Sequence, residues 1–454
     1  MRAALFSFPN GSAIGMDGLS PQHLKDLICC GVSGGEALLG SLVSLVNLVL
    51  SGEVPSDVTD VLSGANLCAL TKKDGGIRPI AVGSTLRRLV SKICCKSLSP
   101  YLSSQFQPLQ LGFGSKGGCE AAVHAARAFL EKSKGDVFLK VDVKNAFNAI
   151  DRGYLLTEVK EHIPSAFSYL WQCYSSPSRL MYKEHSLDSA VVVQQGDPLG
   201  PALFSLGIHP IITTLVSKLN LWYLDDGTLG GDYTSVLSDF KKLIVDFSAI
   251  GLELNFSKCE IYLNSNLSVE LQQEILTLFR DIAPDIKNMN RANLRLLGAP
   301  LLEESFPIFV REQIELFISK KEKLSEINAH MAIFIIKFCL FVPQFTYYLR
   351  SSYFWKFPDL LLEMDNCIRD VLVVILNCDV SGRAWDQAAL PVRFGGLGLR
   401  RVSDVALPAF LSSAHSVGNL FGNIISPSMG SEEIPHLSEA KLAWSSLSHC
   451  DVPI

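Results

Sequence analysis

The sequence predicts an α+β fold, and three observations carry the prediction. Between residues 65 and 301, short apolar strand-like runs interleave with helical periodicities and hairpin turns, the pattern of an antiparallel sheet carrying helices on one face. From about 302 to 378 the periodicity is helical almost throughout. Apolar residues make up 48% of the 454 and charged residues 19%, enough for sizeable cores and too apolar for a disordered chain.

Taken in order, residues 10–20 (NGSAIGMDGLS) are turn chemistry, and Pro21 to Leu27 opens a helix. A second helix is expected over Glu36 to Leu50, ending near Gly52 and Pro55. ANLCALTK and IRPIAV read as two strands joined by KKDGG, where Asp74-Gly75-Gly76 supplies hairpin turn chemistry. Helical patterns follow at 84–98 and 119–132. From Gly135 the order is strand (VFLKVDV), helix, strand (SAVVVQ), helix from Pro198, and a hairpin around WYLDDGTLG. A helix over Val236 to Ile250 and strand-like segments at 254–263 and 295–301 complete this part. The last 75 or so residues mix a glycine-rich turn segment, RFGGLGLR, with short helices.

Composition excludes several classes. Forty Lys+Arg against forty-five Asp+Glu give a net charge of −5, which rules out a uniformly basic surface while leaving room for a local basic groove. Twelve cysteines without a CxxC, and nine histidines without zinc-finger spacing, argue against a disulfide framework or structural zinc. The pairs Cys29-Cys30 and Cys94-Cys95 lie in apolar stretches as small core residues. The N-terminal apolar run is too short for a signal peptide. The most apolar stretch, Ala332 to Leu349, is interrupted by Lys337 and Pro343 and is expected to be a buried helix rather than a membrane span. The expectation is a soluble intracellular protein, nuclear or cytoplasmic, with no membrane partner.

The sharpest feature is three carboxylates on otherwise apolar strands. Asp142 follows FLKV, and Asp225-Asp226 follow LWYL. Aspartate is depleted in strands, so an acid ending an apolar strand needs a reason. Asp-Gly at 226–227 is also favoured hairpin chemistry, which accounts for the same letters. The functional alternative sets Asp142 and Asp225 on adjacent strands, facing each other across the sheet. Two such charges repel unless cations lie between them. Hard oxygen ligands favour Mg²⁺, which keeps waters and takes substrate phosphates. Two ions about 3.5–4 Å apart would activate a hydroxyl and stabilise a leaving oxygen, the chemistry of nucleotidyl transfer.

These blocks resemble the reverse transcriptases, most closely those of non-LTR (LINE-like) retrotransposons, over roughly residues 10–300. DVKNAF (Asp142 to Phe147) resembles the first catalytic block, QQGDPLGPALF (Gln194 to Phe204) the nucleotide-positioning block and YLDD (Tyr223 to Asp226) the second catalytic block. GLELNFSKCE resembles the next block, with Lys258 at its basic position, and LRLLGAPL the block that steadies the primer end. Leu224 departs from the small residue many LINE-type enzymes carry, and Asn145 and Asn148 are unusual in the first block.

The resemblance implies a right-hand polymerase: fingers over 1–134 interleaved with a palm over 135–301, a helical thumb over 302–378 and an extension of unassigned role over 379–454. It implies RNA-templated addition of dNTPs to a DNA primer, with two Mg²⁺ (Mn²⁺ as a substitute) held by Asp142, Asp225, Asp226 and the Val143 carbonyl. Lys72, Arg78, Gln195, Gly196 and Lys258 are expected at the dNTP, Arg78 as a bidentate phosphate contact and Lys72 as a point charge. Phe147 is expected to crowd the sugar's 2′ position, although a phenylalanine is as readily a core residue. Between Cys68 and Pro100, seven basic residues against Asp74 give a local net of +6. Arg87, Arg88, Lys92 and Lys96 are therefore expected on the template surface, the alternative being a solvated helix face. Lys320, Lys321 and Lys323, intermingled with glutamates, read as solvated.

Two other readings stay open at this point: a non-catalytic RNA-binding derivative, and an RNA-dependent RNA polymerase. With no endonuclease ahead of the polymerase blocks, a fragment or truncated element is expected; the sequence does not speak to oligomeric state.

Overall fold

A computed structural model describes residues 1–29, 33–71, 75–133, 136–189, 194, 196–264, 266–430, 433–450 and 452. The chain opens with α1 (Arg2–Phe6), α2 (Pro21–Ile28), α3 (Gly35–Leu50) and α4 (Ser56–Ser63). Ser20 starts α2: its hydroxyl accepts from the His23 N–H, its own N–H donates to the His23 ring, and Pro21 occupies the first turn. The expected hairpin follows as β1 (Ala65–Thr71) and β2 (Ile77–Gly83), paired antiparallel. Its connecting Lys72, Lys73 and Asp74 lie outside the described residues. Next come α5 (Thr85–Phe106) and α6 (Gly118–Lys132). The first outruns its expected end at 98, because Leu98, Leu102 and Phe106 keep burying one helical face beyond Pro100.

The centre of the molecule runs β3 (Val137–Asp142), α7 (Arg152–His162), α8 (Phe167–Tyr174), β4 (Ser178–Tyr182), β5 (His185–Ser189) and α9 (Gly200–Ile212). It continues with β6 (Leu219–Tyr223), β7 (Asp226–Gly231), α10 (Tyr233–Ala249), β8 (Glu260–Leu263), α11 (Val269–Arg280) and β9 (Lys287–Asn288). A five-stranded sheet in the order β6-β7-β3-β8-β9 puts β3 in the middle, antiparallel to both neighbours. Alternation along β3 decides what faces where. Val137, Leu139 and Val141 join the core built with Phe204, Phe240 and Phe247. Phe138, Lys140 and Asp142 face the other way. Helices therefore cover more than the one expected face: Phe129 of α6 sits directly over Gly230 of β7 on the second side. The end of that face bearing Lys140 and Asp142 stays open.

A second sheet, β2-β1-β4-β5, lies apart from the first. The strand expected over 189–194 falls on residues 190–193, which lie outside the described residues; before it, β4 and β5 form a hairpin ending at Ser189. Its largely polar β5 (HSLDS) carries too little apolar signal to be read as a strand.

After a small hairpin, β10 (Arg295–Leu296) and β11 (Ala299–Pro300), the chain is helical. It contains α12 (Phe306–Ile318), α13 (Lys321–Ser325), α14 (Ala329–Cys339), α15 (Val342–Ser351) and α16 (Pro358–Leu376). Then follow α17 (Gly382–Ala389), α18 (Val402–Met429) and α19 (Leu437–Ser448). Two expectations are corrected here. The "short helices" of the C-terminal part include α18, 28 residues long and packed along α6 and α15. The apolar stretch 332–349 is two helices broken at Leu340–Phe341, and the first leaves Met331, Phe334 and Phe338 exposed. The span 329–351 has the length and mean hydropathy (1.6) of a membrane-crossing segment, yet Ala332, Ile336, Phe345 and Leu349 are in the core.

One apolar core runs from α6 through α12, α15, α16 and α18. Two buried polar groups lock it. Arg127 of α6, fully buried, donates to the carbonyls of Leu301 and Ser351 at 2.9 Å and to the Ser352 hydroxyl. Asp365 of α16 accepts from the Val402 and Ser403 N–H groups, capping α18 across the helix–helix contact.

Candidate active site

The β6–β7 hairpin closes through a two-residue loop, Leu224-Asp225, with Leu224 in the left-handed region (φ 56°). This corrects the expected facing pair. Asp226, not Asp225, is the strand partner of Asp142, in register across β3 and β7, while Asp225 occupies the loop beside them. The alternation of β7 leaves no other choice, because the loop consumes Leu224 and Asp225 before pairing resumes. Gly112 is required here: a Cβ on it would lie 2.7 Å from Leu224. The Asp142 carbonyl accepts from the Asn255 N–H at 2.8 Å and Val143 bridges Leu254, so the 254–255 segment holds the end of β3 on one side while β7 holds it on the other.

Burial sets the electrostatics. It pushes the Asp226 carboxyl up to about 6, with the neighbouring Asp225 and Asp142 charges adding to it and Lys140 partly offsetting it. Asp225 is raised as well, mainly by burial, with Arg78 and Lys258 working against the rise. Lys140 forms an ion pair with Glu260 across β3 and β8 at 2.7 Å. Among the described residues no three His, Cys, Asp or Glu side chains close into a ready-made metal cluster. Hard carboxylate oxygens with room for water nonetheless suit Mg²⁺, which retains several waters.

Two clefts meet at Asp142 and Lys258. One, about 280 Å³, is lined by Arg78, Val143, Asn145, Phe147, Asp225 and Asn255. The other, about 300 Å³, is lined by Lys140, Asp226, Thr228, Glu260 and the Leu296–Gly298 turn. Phe147 is half-buried and stacks on Phe204, fully buried in the positioning block, with ring centroids 4.9 Å apart and planes at 30°. Phe147 thus packs against a core ring and also lines the cleft. The turn of the second cleft is strained at Leu297 (φ 48°), and the Tyr347 hydroxyl of α15 donates to the Leu297 carbonyl at 3.1 Å. Tyr223 hydrogen-bonds the Cys119 thiol, which with burial holds its phenol up to about 12. Phe204 lies at the end of the positioning block, but nothing in the sequence marks it as a partner of Phe147; Tyr347 and Cys119 carry no sequence signal, because their proximity is not something a sequence displays.

The structure thus gathers Arg78, Asp142, Val143, Phe147, Asp225 and Lys258 around one cleft, with Asp226 beside it. Lys72 and Gln195 lie outside the described residues. Gly196 (φ 130°) abuts β2: a Cβ there would come within 2.4 Å of the Ala81 carbonyl. The helix-start reading of this block shifts by a few residues. Asp197 accepts from the Leu199 N–H, and Pro201, not Pro198, falls in the first turn of α9.

Arg87 is a correction. It is fully buried, paired with Asp197 at 3.1 Å and donating to the Ser63 carbonyl, so it cannot touch a template. Arg88 donates to the Ala13 carbonyl and Lys92 to Ser7, both beside the Phe8 ring. Lys96 is exposed.

The sequence profile described as "Reverse transcriptase (RNA-dependent DNA polymerase)" matches residues 70–301. The chain is 26% identical over 414 residues, 87% of its length, to the retrotransposable element SLACS 132 kDa protein of Trypanosoma brucei gambiense. It is 25% identical over 273 residues to a retrovirus-related Pol polyprotein from the type-2 retrotransposable element R2DM of Drosophila melanogaster, 55% of this chain. It spans only 33% and 24% of those proteins' lengths. Among solved structures, telomerase from Candida albicans aligns with 87% of this chain and 65% of its own at 11% identity and a TM-score of 0.46.

Proposed function

Because this chain belongs to the reverse transcriptase (RNA-dependent DNA polymerase) family, we propose that it is the polymerase core of a non-LTR retroelement protein, adding dNTPs to a primer 3′-OH on an RNA template. One observation carries the reading: Asp142 and Asp226 in register on adjacent strands, with Asp225 beside them at the junction of two clefts.

The two clefts divide the substrates. The first takes the incoming dNTP: Arg78 is placed to grip phosphate with its fork, Lys258 to contribute a second positive charge, and Phe147 to crowd the 2′ position of the sugar. Lys72 and Gln195 complete this set on the family's pattern. The second, between Asp226 and the Leu296–Gly298 turn, takes the primer end. Two Mg²⁺ ions, with Mn²⁺ as substitute, would be held by Asp142, Asp225, Asp226 and the Val143 carbonyl, supplying an activated 3′-oxygen and a stabilised leaving pyrophosphate. The chain's own residues orient both substrates and add positive charge where negative charge develops. Fingers (1–134), palm (135–301) and a thumb beginning at 302 are the units of this reading. The extension from 379 shares the thumb's core through α18. The compartment is intracellular, nuclear or cytoplasmic.

Purified protein, an RNA template annealed to a DNA primer, Mg²⁺ and labelled dNTPs test it. Template-dependent extension is expected with dNTPs and little with rNTPs. Extension with rNTPs at equal efficiency turns the reading to an RNA polymerase, and tight binding without extension to a non-catalytic RNA-binding protein.

A further inference from the structure

A surface that shares no lining residue with the two clefts at the acids has the wrong composition for solvent. On α14, Phe334 and Phe338 are 55% and 57% exposed and lie against each other with centroids 4.8 Å apart. Beyond α17, Phe394 is 62% exposed with the Arg393 guanidinium over its ring at 4.8 Å. The two segments meet at Lys337, whose ammonium donates to the Leu397 carbonyl at 3.1 Å. Phe338 and Arg400 line a shared hollow of about 250 Å³ there. Isolated exposed apolar residues need no explanation, but three phenylalanines on adjoining segments do.

Charge says what kind of partner fits. Residues 327–358 and 387–403 contain no Asp or Glu, while contributing Lys337, Arg393 and Arg400, in a chain whose net charge is −5. An acidic or neutral apolar surface would suit another protein core. Exposed rings flanked by arginines suit unpaired bases stacked between phosphates.

We propose that this surface binds single-stranded RNA, with bases stacking on Phe334, Phe338 and Phe394 and phosphates held by Arg393 and Arg400. It is separate from the two clefts at the acids, so it requires no catalysis and stands or falls on binding alone.

The test is fluorescence anisotropy with a labelled 12-nucleotide oligouridylate, at two salt concentrations, with the clefts first saturated by a blunt RNA–DNA duplex. Two variants are compared with the parent: Phe338→Ala with Phe394→Ala, and Arg393→Ala with Arg400→Ala. Because these side chains are exposed, folding is expected to survive, as checked by circular dichroism. Each pair is expected to weaken oligouridylate binding by about tenfold, and the arginine pair also to flatten its salt dependence. Duplex affinity and single-nucleotide addition stay unchanged. Unchanged oligouridylate affinity in both variants overturns the proposal. So does loss of duplex affinity alone, which assigns the surface to the duplex, or self-association of the parent that the phenylalanine variant abolishes, which makes it a contact between copies.

Discussion

Asp142 and Asp226 stand directly opposite one another in the antiparallel ladder of β3 and β7. Two carboxylates in register are a cost to the metal-free fold, since neighbouring like charges favour the protonated form. The Asp226 carboxyl is raised from 3.8 to about 6, first by desolvation and then by the Asp225 and Asp142 charges.

The sign of the effect gives the first prediction. A carboxyl whose folded value is raised binds its proton more tightly in the folded state, so metal-free protein loses stability as pH rises from 4 through 6. The charged form of Asp226 therefore costs the folded state stability at neutral pH, a cost that its solvent exposure screens in part. Asp226→Asn is therefore expected to raise the Tm of metal-free protein at pH 7.5 and to lose that advantage near pH 4. Added Mg²⁺ stabilises the parent at pH 7.5, and less so below pH 6, where protons compete for the same oxygen. Calorimetry at three pH values with and without Mg²⁺ reads this directly; a variant less stable than the parent at pH 7.5 contradicts it.

The second prediction concerns sugar choice. Phe147 is held by its stack on Phe204, so both rings set the position of the edge facing the cleft. Phe147→Ala is expected to lower the ratio of kcat/KM for dCTP over rCTP by tenfold or more, about 1.4 kcal/mol of discrimination. Phe204→Leu lowers it less. A ratio that stays put in Phe147→Ala makes Phe147 a core residue only.

The third follows from Tyr347. Its hydroxyl bonds the carbonyl of Leu297 at the strained turn of the second cleft, the one proposed for the primer end. Tyr347→Phe removes one hydrogen bond and no packing, a loss of about 1 kcal/mol. Faster primer–template dissociation and shorter products are expected, with KM for dNTP unchanged. An altered KM for dNTP with unchanged product length places the effect elsewhere.

The fourth tests the reassignment of Arg87. Removing one partner of a buried ion pair costs about 3–5 kcal/mol, so Asp197→Ala, which strands the Arg87 guanidinium, is expected to lower the unfolding free energy by that order. Replacing both, as Arg87→Met with Asp197→Leu, costs less than the two singles together. Urea unfolding of the parent and these four variants checks it. A stable Arg87→Met with weakened RNA binding restores Arg87 to the template surface.

These cases show what was legible in the chain and why. Asp142, Asp225 and Asp226 are visible because acids ending apolar strands contradict strand chemistry, and the β6–β7 hairpin because the apolar run before Asp225-Asp226-Gly227 stops abruptly. The partner of Asp142 was misjudged by one residue, since loop length sets register and the left-handed Leu224 does not announce itself in sequence. Arg87 was counted with its basic neighbours because a charge count cannot see burial. The helix α18 holds Pro408, Gly418, Gly422 and several serines, a composition of breaks; packing on α6 and α15 overrides it. Tyr347 touches Leu297 across fifty positions of chain, beyond any local pattern.

The central claim is that the carboxylates of β3 and the β6–β7 hairpin carry the chemistry. Single-turnover addition of one dNTP to a preformed RNA–DNA primer complex measures it most directly, comparing the parent with Asp142→Asn and Asp225→Asn at saturating Mg²⁺. Each substitution preserves shape and removes an anionic ligand. Addition is expected to fall by at least about a thousandfold, roughly 4 kcal/mol of barrier, with complex affinity within about threefold of the parent. Parent-like addition rates in either variant contradict the account.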